Sequence, residues 1–558
     1  MPEYSLKQYF GKNGFVTDWL ICGPFPNETK PNANPSAFDP KYSKYWDKEW
    51  VNIRDIKPKT GLKVRGPGNF ERKWTPLHIK YYHLLEIYRY YALFPKLAEY
   101  LDKNCKSKCW NEWDATTYLA VYIEVKKEEE VKLSIGAWDG FKLWVNGSLL
   151  GEEHSYHHEL VDHKQYNTEF NKGLNLILIK TDRRKVCLRV TTSEDLPLKN
   201  ARVVLPGEKK DGITLGENFL HPTDAFRKIA YDIKPKMSAP FAGKKNILAW
   251  QKKFRKKLIE LALPNGRPKG NLNVKILEKV DEGSYIREKI LYSREGSFAK
   301  VPAYVLVPKK PHGGAMVCLH GHNIGRDCGK RGPAGVYLNE YEKKQIRTDN
   351  YDYAKQFAEK GYVTITPDVL GFGERYEGGR FYGGDACSVI NLALNLTGEN
   401  LFGQSVSDYI GAVDYISKRH EVDPKKIGCV GLSFGGTSTY LLSAIDERIK
   451  VAIVSCAVTS FREYLQVYGG CGSQTIPGVL KYGDISDICG LIAPRPLLVE
   501  SGRSDSCFSI LFAEEAYAKL KKIYAGLGAA ELVDADFFEG GHKFSGAKAF
   551  AWVAKANK

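Results

Sequence analysis

The chain has 558 residues, a formal net charge of +17, 43% hydrophobic residues and 26% charged residues. That length predicts two or three domains with a large buried core, and no apolar run approaches the roughly 20 residues of a membrane span, so no membrane partner is expected. About 15 of the 17 excess positive charges fall within residues 1 to 270, but no nucleic-acid motif accompanies them and no nucleic-acid partner is expected.

The opening Met1-Pro2-Glu3-Tyr4-Ser5-Leu6-Lys7 lacks a basic segment followed by an apolar stretch and a small-residue cleavage site, so a cytoplasmic protein is expected. The 12 cysteines are scattered through a long chain rather than set out as a small disulfide framework, and they read as reduced thiols. Cys105 and Cys109 form a close pair with no second pair at zinc-ligand spacing; no metal site and no organic cofactor are expected. Many Lys, Glu and Tyr with only 3 Met fit a protein adapted to heat.

Up to about residue 210 the pattern is β-rich. The segments 15–21, 118–125, 131–135, 141–145 and 174–180 read as short strands, and Asn146-Gly147 is a strong hairpin turn because a type I′ turn needs positive φ at both central positions. A helical excursion is predicted over 81–100. Several strands punctuated by turns imply an antiparallel β-sandwich, and the lack of a blade-like repeat argues against a propeller. The stretches Trp19-Leu20-Ile21-Cys22-Gly23-Pro24-Phe25-Pro26-Asn27 and Trp138-Asp139-Gly140-Phe141-Lys142-Leu143-Trp144-Val145-Asn146-Gly147 resemble the jelly-roll, galactose-binding-like accessory domains found beside polysaccharide-degrading enzymes. Eight of the 10 tryptophans lie before residue 145; as sandwich residues they are expected in the core rather than stacked on sugars. His154, His157, His158 and His163 share no fixed spacing on one element and are not read as metal ligands. Residues 1–210 are therefore expected as the accessory sandwich and 211–265 as a helical connection. Within the connection, Lys252-Lys253-Phe254-Arg255-Lys256-Lys257 reads as an amphipathic helix with a solvated basic face; attraction of an acidic polymer is the functional alternative.

From residue 266 strands alternate with helices, the signature of an α/β sheet. Ala315-Met316-Val317-Cys318-Leu319 is a buried strand ending at His320-Gly321-His322, and Tyr362 to Thr366 is another ending at Pro367-Asp368. Lys426-Ile427-Gly428-Cys429-Val430 leads into Gly431-Leu432-Ser433-Phe434-Gly435 and then a helix. A G-x-S-x-G at a strand-to-helix turn is a nucleophile elbow, whose glycines sit where side chains do not fit.

Leu319-His320-Gly321-His322, Asp368-Val369-Leu370-Gly371-Phe372-Gly373-Glu374-Arg375, the elbow, Asp446-Glu447-Arg448 and Ala493-Pro494-Arg495-Pro496 resemble the α/β-hydrolase superfamily, in particular its acetyl-xylan-esterase-like and dienelactone-hydrolase-like esterases. The resemblance implies an α/β-hydrolase fold over 266–558, a mostly parallel sheet with helices on both faces. Dienelactone hydrolase itself is expected to use cysteine; the elbow here carries serine, which favours esterase chemistry.

A serine hydroxyl needs a base within hydrogen-bond reach. The triad order in this fold is nucleophile, acid, histidine, and His542 is the one histidine that follows Ser433. Asp505, in the turn after the strand 497–501, is the expected acid, accepting the Nδ1 proton of His542. The backbone N–H groups of Phe434 and His322 are the expected oxyanion donors. His320, Glu374, Arg375, Cys471 and Gln474 are candidates for the substrate pocket, with an internal ion pair favoured for Glu374 and Arg375. With Ser433 as nucleophile the expected activity is that of a serine esterase, and the resemblance together with the accessory sandwich implies that it removes a small acyl group, acetyl above all, from carbohydrate. A prolyl-oligopeptidase-like peptidase and an esterase for bulkier glucuronoyl or feruloyl groups are the alternatives. The expected partner is an acylated oligosaccharide or another small ester, and a homo-oligomer is left open.

Overall fold

A computed structural model describes residues 14–26, 48–66, 71–79, 85–86, 115–137, 140–153, 162–182, 185–207, 212–215, 222–241, 243–295, 299–322, 324–325, 327–377, 386–466 and 471–557. The chain divides into two units, Met1–Tyr231 and Asp232–Lys558.

The described residues of the first unit form an eight-stranded sheet, a four-stranded sheet and a two-stranded ribbon of Lys63–Arg65 with Glu71–Lys73. All their pairings are antiparallel except that of Ile213–Leu215 with Thr75–Ile79. Both sheets supply side chains to one apolar core, among them Trp19, Leu119 and Ile179 from one and Leu133, Ile135 and Leu188 from the other. Trp19, Trp74 and Trp144 are buried in that core, where no sugar ring can reach them; Trp46, Trp110, Trp113 and Trp138 lie outside the described residues. Leu85–Glu86, inside the expected helical excursion, is a short strand paired with Lys185 and Val186. The rest of that excursion, the Cys105/Cys109 pair and His154, His157 and His158 also lie outside the described residues. Of the predicted histidine cluster, His163 sits 3.9 Å from Glu153.

The second unit is built on a nine-stranded sheet. In chain order its strands are β1 (Leu272–Asp281), β2 (Tyr285–Arg294), β3 (Val301–Pro308), β4 (Gly313–Leu319), β5 (Val363–Pro367), β6 (Val422–Leu432), β7 (Val451–Ser455), β8 (Leu497–Gly502) and β9 (Val533–Phe538). They lie in the spatial order β1-β2-β3-β5-β4-β6-β7-β8-β9. The first three form an antiparallel flap that joins β5, and every pairing from β5 to β9 is parallel.

Both faces of this sheet are covered, and the period of two along each strand decides which residue goes where. Val317, Cys429 and Val454 enter one core together with Phe254, Phe402, Tyr440 and Tyr524, which come from the helices Lys244–Ala262, Leu401–Ile416, Phe434–Ile445 and Ile510–Gly526. Their neighbours Met316, Cys318, Val430 and Ile453 enter the opposite core with Tyr353, Phe357 and Val553 from the helices Tyr353–Glu359 and Ala549–Ala556. This is the expected α/β-hydrolase architecture. None of the described helices is long and apolar enough to cross a membrane.

The basic helix Lys244–Ala262, expected as part of a connection, belongs to this second unit. Ile247, Trp250, Phe254, Leu258 and Ala262 recur at helical spacing and are buried, while Lys252, Lys253 and Lys256 are exposed. A Cβ at Gly483 would come within 2.4 Å of the Phe254 ring, and one at Gly526 within 2.5 Å of Ile247 Cδ1. Gln251 Nε2 donates to the carbonyls of Gly490 and Ala493 at 2.9 and 2.7 Å, and Arg255 donates to those of Ala444 and Leu491 at 2.9 and 2.7 Å. Sequence pattern shows amphipathicity but not the partner of the apolar stripe, so the helix read as a linker. Phe254→Ala is expected to destabilise the unit by about 3–5 kcal/mol, measured by denaturant unfolding. A loss below about 1 kcal/mol would make the helix peripheral.

Candidate active site

The sequence-predicted residues lie beyond the carboxyl ends of the parallel strands, where open α/β sheets bind ligands. His320 and His322 follow β4, Asp368 follows β5, Ser433 follows β6, Asp505 follows β8 and His542 follows β9.

Ser433 stands between β6 and the helix Phe434–Ile445 with φ 62° and ψ −123°. A non-glycine residue in that region stores about 1–3 kcal/mol of strain and persists only where its surroundings impose it. Here the imposition is close packing. A Cβ on Gly435 would lie 1.9 Å from the Leu319 carbonyl oxygen, and one on Gly431 would lie 2.3 Å from the Gly435 backbone. The Ser433 N–H donates to the Ser455 carbonyl at 3.0 Å, tying the elbow to β7. Among the described residues the Ser433 hydroxyl has no hydrogen-bond partner.

The expected acid and base are joined by a hydrogen bond. His542 Nδ1 donates to Asp505 Oδ2 at 2.9 Å, and the Asp505 side chain is fully buried. The other carboxylate oxygen accepts from the N–H groups of Cys507 at 2.7 Å and Phe508 at 3.1 Å, which fixes its orientation. The Phe508 ring lies 5.8 Å from the imidazole. Cys456, at φ 45°, brings its sulfur into the same group as Asp505 and His542.

The loop after β4 is pinned from below by two tyrosines. Tyr351 Oη accepts from the Gly321 N–H and Tyr353 Oη donates to the Leu319 carbonyl, each at 2.5 Å. His320 is fully buried beneath this loop; its Nδ1 donates to the Gly321 carbonyl and its Nε2 accepts from the Val369 N–H, each at 3.1 Å. Burial pushes its pKa down to about 4, so the ring is a neutral brace rather than a pocket group. His322 has its ring 5.2 Å from Phe372 and 5.4 Å from Phe434. Its Nε2 lies 3.4 Å from both Cys387 Sγ and Cys471 Sγ.

The other pocket candidates are mostly engaged elsewhere. Glu374 pairs with Lys330 and, at 2.8 Å, with Lys289, while Arg375 pairs with Asp408 at 2.7 Å. Both are internal ion pairs, though not with each other. Gln474 is buried and accepts from Tyr464 Oη at 3.0 Å. Cys471 is partly exposed; the hydrogen bond from Cys387, with His322 beside it, holds its thiol well below the ordinary range.

Two carboxyls near the expected triad are buried: Glu463, which the sequence does not single out, and Glu500, whose place inside a strand marks it as structural rather than as the acid. Glu463 accepts from Thr459 Oγ1 and, at 3.1 Å, from the Ser509 N–H; Glu500 accepts from the Gly546 N–H at 3.1 Å. Nothing in a sequence distinguishes a buried glutamate from a surface one on a helix or strand end. Burial raises them to about 8 and about 7.

A serine at a strand-to-helix turn, a buried aspartate hydrogen-bonded to a histidine and a nine-stranded, mostly parallel sheet are the features of an α/β-hydrolase. Residues 342–459 match the dienelactone hydrolase family. The "Putative hydrolase YtaP" of Bacillus subtilis is 30% identical over 284 residues, 50% of this chain and 89% of that protein, and the chain belongs to the dienelactone hydrolase family. Dipeptidyl-peptidase 5 of Porphyromonas endodontalis is 33% identical over 94 residues, 16% of this chain and 11% of the peptidase. Among solved structures, a putative acetyl xylan esterase from Bacteroides fragilis aligns with a TM-score of 0.49 and 18% identity, over 57% of this chain and 83% of that one. A glucuronoyl esterase from Solibacter usitatus aligns at 0.42 and 14%, over 59% and 99%.

The raised carboxyls make stability depend on pH. A folded-state pKa above the unfolded value of 4.5 means that the folded protein binds the extra proton, so this stabilisation is complete below 4.5 and is lost as pH rises toward about 8 for Glu463. Glu463→Gln, neutral at every pH, is expected to flatten the decline in urea-unfolding stability over that interval. An unchanged slope would show that Glu463 ionises freely in the fold.

Proposed function

We propose that the protein is a serine carboxylesterase that removes a small acyl group, acetyl above all, from carbohydrate in the cytoplasm. The observation that carries the reading is the buried Asp505–His542 hydrogen bond of 2.9 Å beyond the same strand ends as the strained Ser433 elbow. Ser433 Oγ attacks the ester carbonyl while His542 Nε2 takes its proton; Asp505 holds the ring in the Nδ1–H tautomer and stabilises the imidazolium. The N–H groups of Phe434 and His322 receive the oxyanion. His542 then protonates the leaving sugar alcohol and activates the water that releases the acid.

The acetyl group and the sugar rest on the resemblance of the hydrolase stretches to acetyl-xylan-esterase-like enzymes. The dipeptidyl-peptidase likeness supports a peptidase as the second reading, but it spans only 94 residues, and the described residues of the first unit form antiparallel-rich sheets where a prolyl-oligopeptidase would carry a propeller.

Purified protein assayed on p-nitrophenyl acetate, acetylated xylan oligomers and a chromogenic dipeptide should release acetate and leave the peptide intact. Ser433→Ala should lower kcat about a million-fold and Asp505→Ala about ten-thousand-fold. Peptide turnover with negligible esterase activity overturns the reading, as does activity that rises from acetyl to bulky acids.

A further inference from the structure

Three segments far apart in the chain bring their softest side chains to one point beside the elbow. His322 comes from the loop after β4, Cys387 from the first turn of the helix Ala386–Asn395, and Cys471 from the residue before the turn Gly472–Gln474. The turn seats closely on the helix: a Cβ on Gly472 would lie 3.1 Å from Asn391 Cβ and 3.4 Å from the Cys387 carbonyl oxygen. That approach delivers Cys471 to Cys387, and both sulfurs to the imidazole edge.

Their spacing is that of a coordination polyhedron. With metal–sulfur bonds of about 2.3 Å and metal–nitrogen bonds of about 2.05 Å, a tetrahedral zinc ion sets its nitrogen and sulfur ligands about 3.6 Å apart and its two sulfurs about 3.8 Å apart. Here Nε2 is 3.4 Å from each sulfur, and the three ligand atoms lie within 4.8 Å of one another. A disulfide between Cys387 and Cys471 would give no reason for an imidazole equidistant from both sulfurs. A thiolate nucleophile would need only one of them.

We propose that His322, Cys387 and Cys471 form a binding site for a thiophilic divalent cation, zinc by its chemistry, with three protein ligands and a fourth position for solvent. Among the described residues no fourth His, Cys, Asp or Glu joins the group, which matches the open pattern of a Cys2His site rather than the closed pattern of a structural one. Binding displaces the remaining thiol protons to solvent and involves no electron transfer. The ion links the β4 loop, the helix Ala386–Asn395 and the turn at 471–474, so it clamps the segment that carries the expected oxyanion donor. The site stands independently of the acyl chemistry: one residue would offer its ring to the metal and its backbone to the ester.

The test uses reduced, chelator-treated protein titrated with Co2+. About one equivalent should bind, giving the intense visible bands of a tetrahedral ion and a thiolate-to-cobalt charge-transfer band, all abolished by Zn2+. Cys471→Ser and Cys387→Ser should each remove the charge-transfer intensity in part and weaken binding at least tenfold, and a Cys105→Ser/Cys109→Ser variant should leave the spectrum unchanged. Zn2+ should raise the melting temperature of the wild type and not that of Cys471→Ser. No charge-transfer band in the wild type overturns the proposal without recourse to any variant. So does a band that keeps its full intensity in both Cys471→Ser and Cys387→Ser, or one lost in Cys105→Ser/Cys109→Ser.

Discussion

The second unit depends on the contact between a helix and a strand end that leaves no room for a side chain. Gly435 meets the Leu319 carbonyl so closely that a Cβ would overlap it at 1.9 Å. That approach sets how near the helix Phe434–Ile445 can lie to the end of β4, and so how sharply the chain must turn at Ser433. The strain at Ser433 follows from the packing, and the large buried surfaces of the sheet hold it in place. The same contact puts Phe434 beside the His322 loop, so Ser433, both expected oxyanion donors and the imidazole near the two thiols are positioned by one interface.

A second layer of support comes from residues without chemistry of their own. Tyr351 and Tyr353 hold the backbone of the β4 loop from one side and neutral His320 braces it against Val369 from the other. Lys330 is buried against Asp368 at 2.6 Å and locks the loop after β5. Removing one partner of such a pair leaves a buried charge alone, a larger loss than the pair's own net contribution. Loops that carry function are usually the least stable parts of a fold; here they are fastened by groups already neutral or already paired.

Local pattern made the hydrolase sheet and its strand-end motifs legible, because alternation along β4 and β6 and the glycines of the elbow are short-range signals. The base could be reached by elimination, since His542 alone follows Ser433. What remained hidden was long-range. Cys387 and Cys471 stand 65 and 149 residues from His322, and no spacing rule joins three such residues. Glu463 reads as an ordinary charged residue until burial defines it. Leu85–Glu86 read as helical because two residues are too few to display a strand's period, and pairing with Lys185 and Val186 decides the matter.

The helix Lys244–Ala262 also bears on how this polypeptide can be divided. Its stripe from Ile247 to Ala262 packs closely against Gly483, Gly490 and Gly526. A fragment starting at residue 266 would keep Ser433, Asp505 and His542 and yet bare the surface under that stripe to water, an apolar patch prone to self-association. The smallest self-sufficient hydrolase in this chain is therefore one that begins near Asp232, upstream of where its first catalytic motif would suggest.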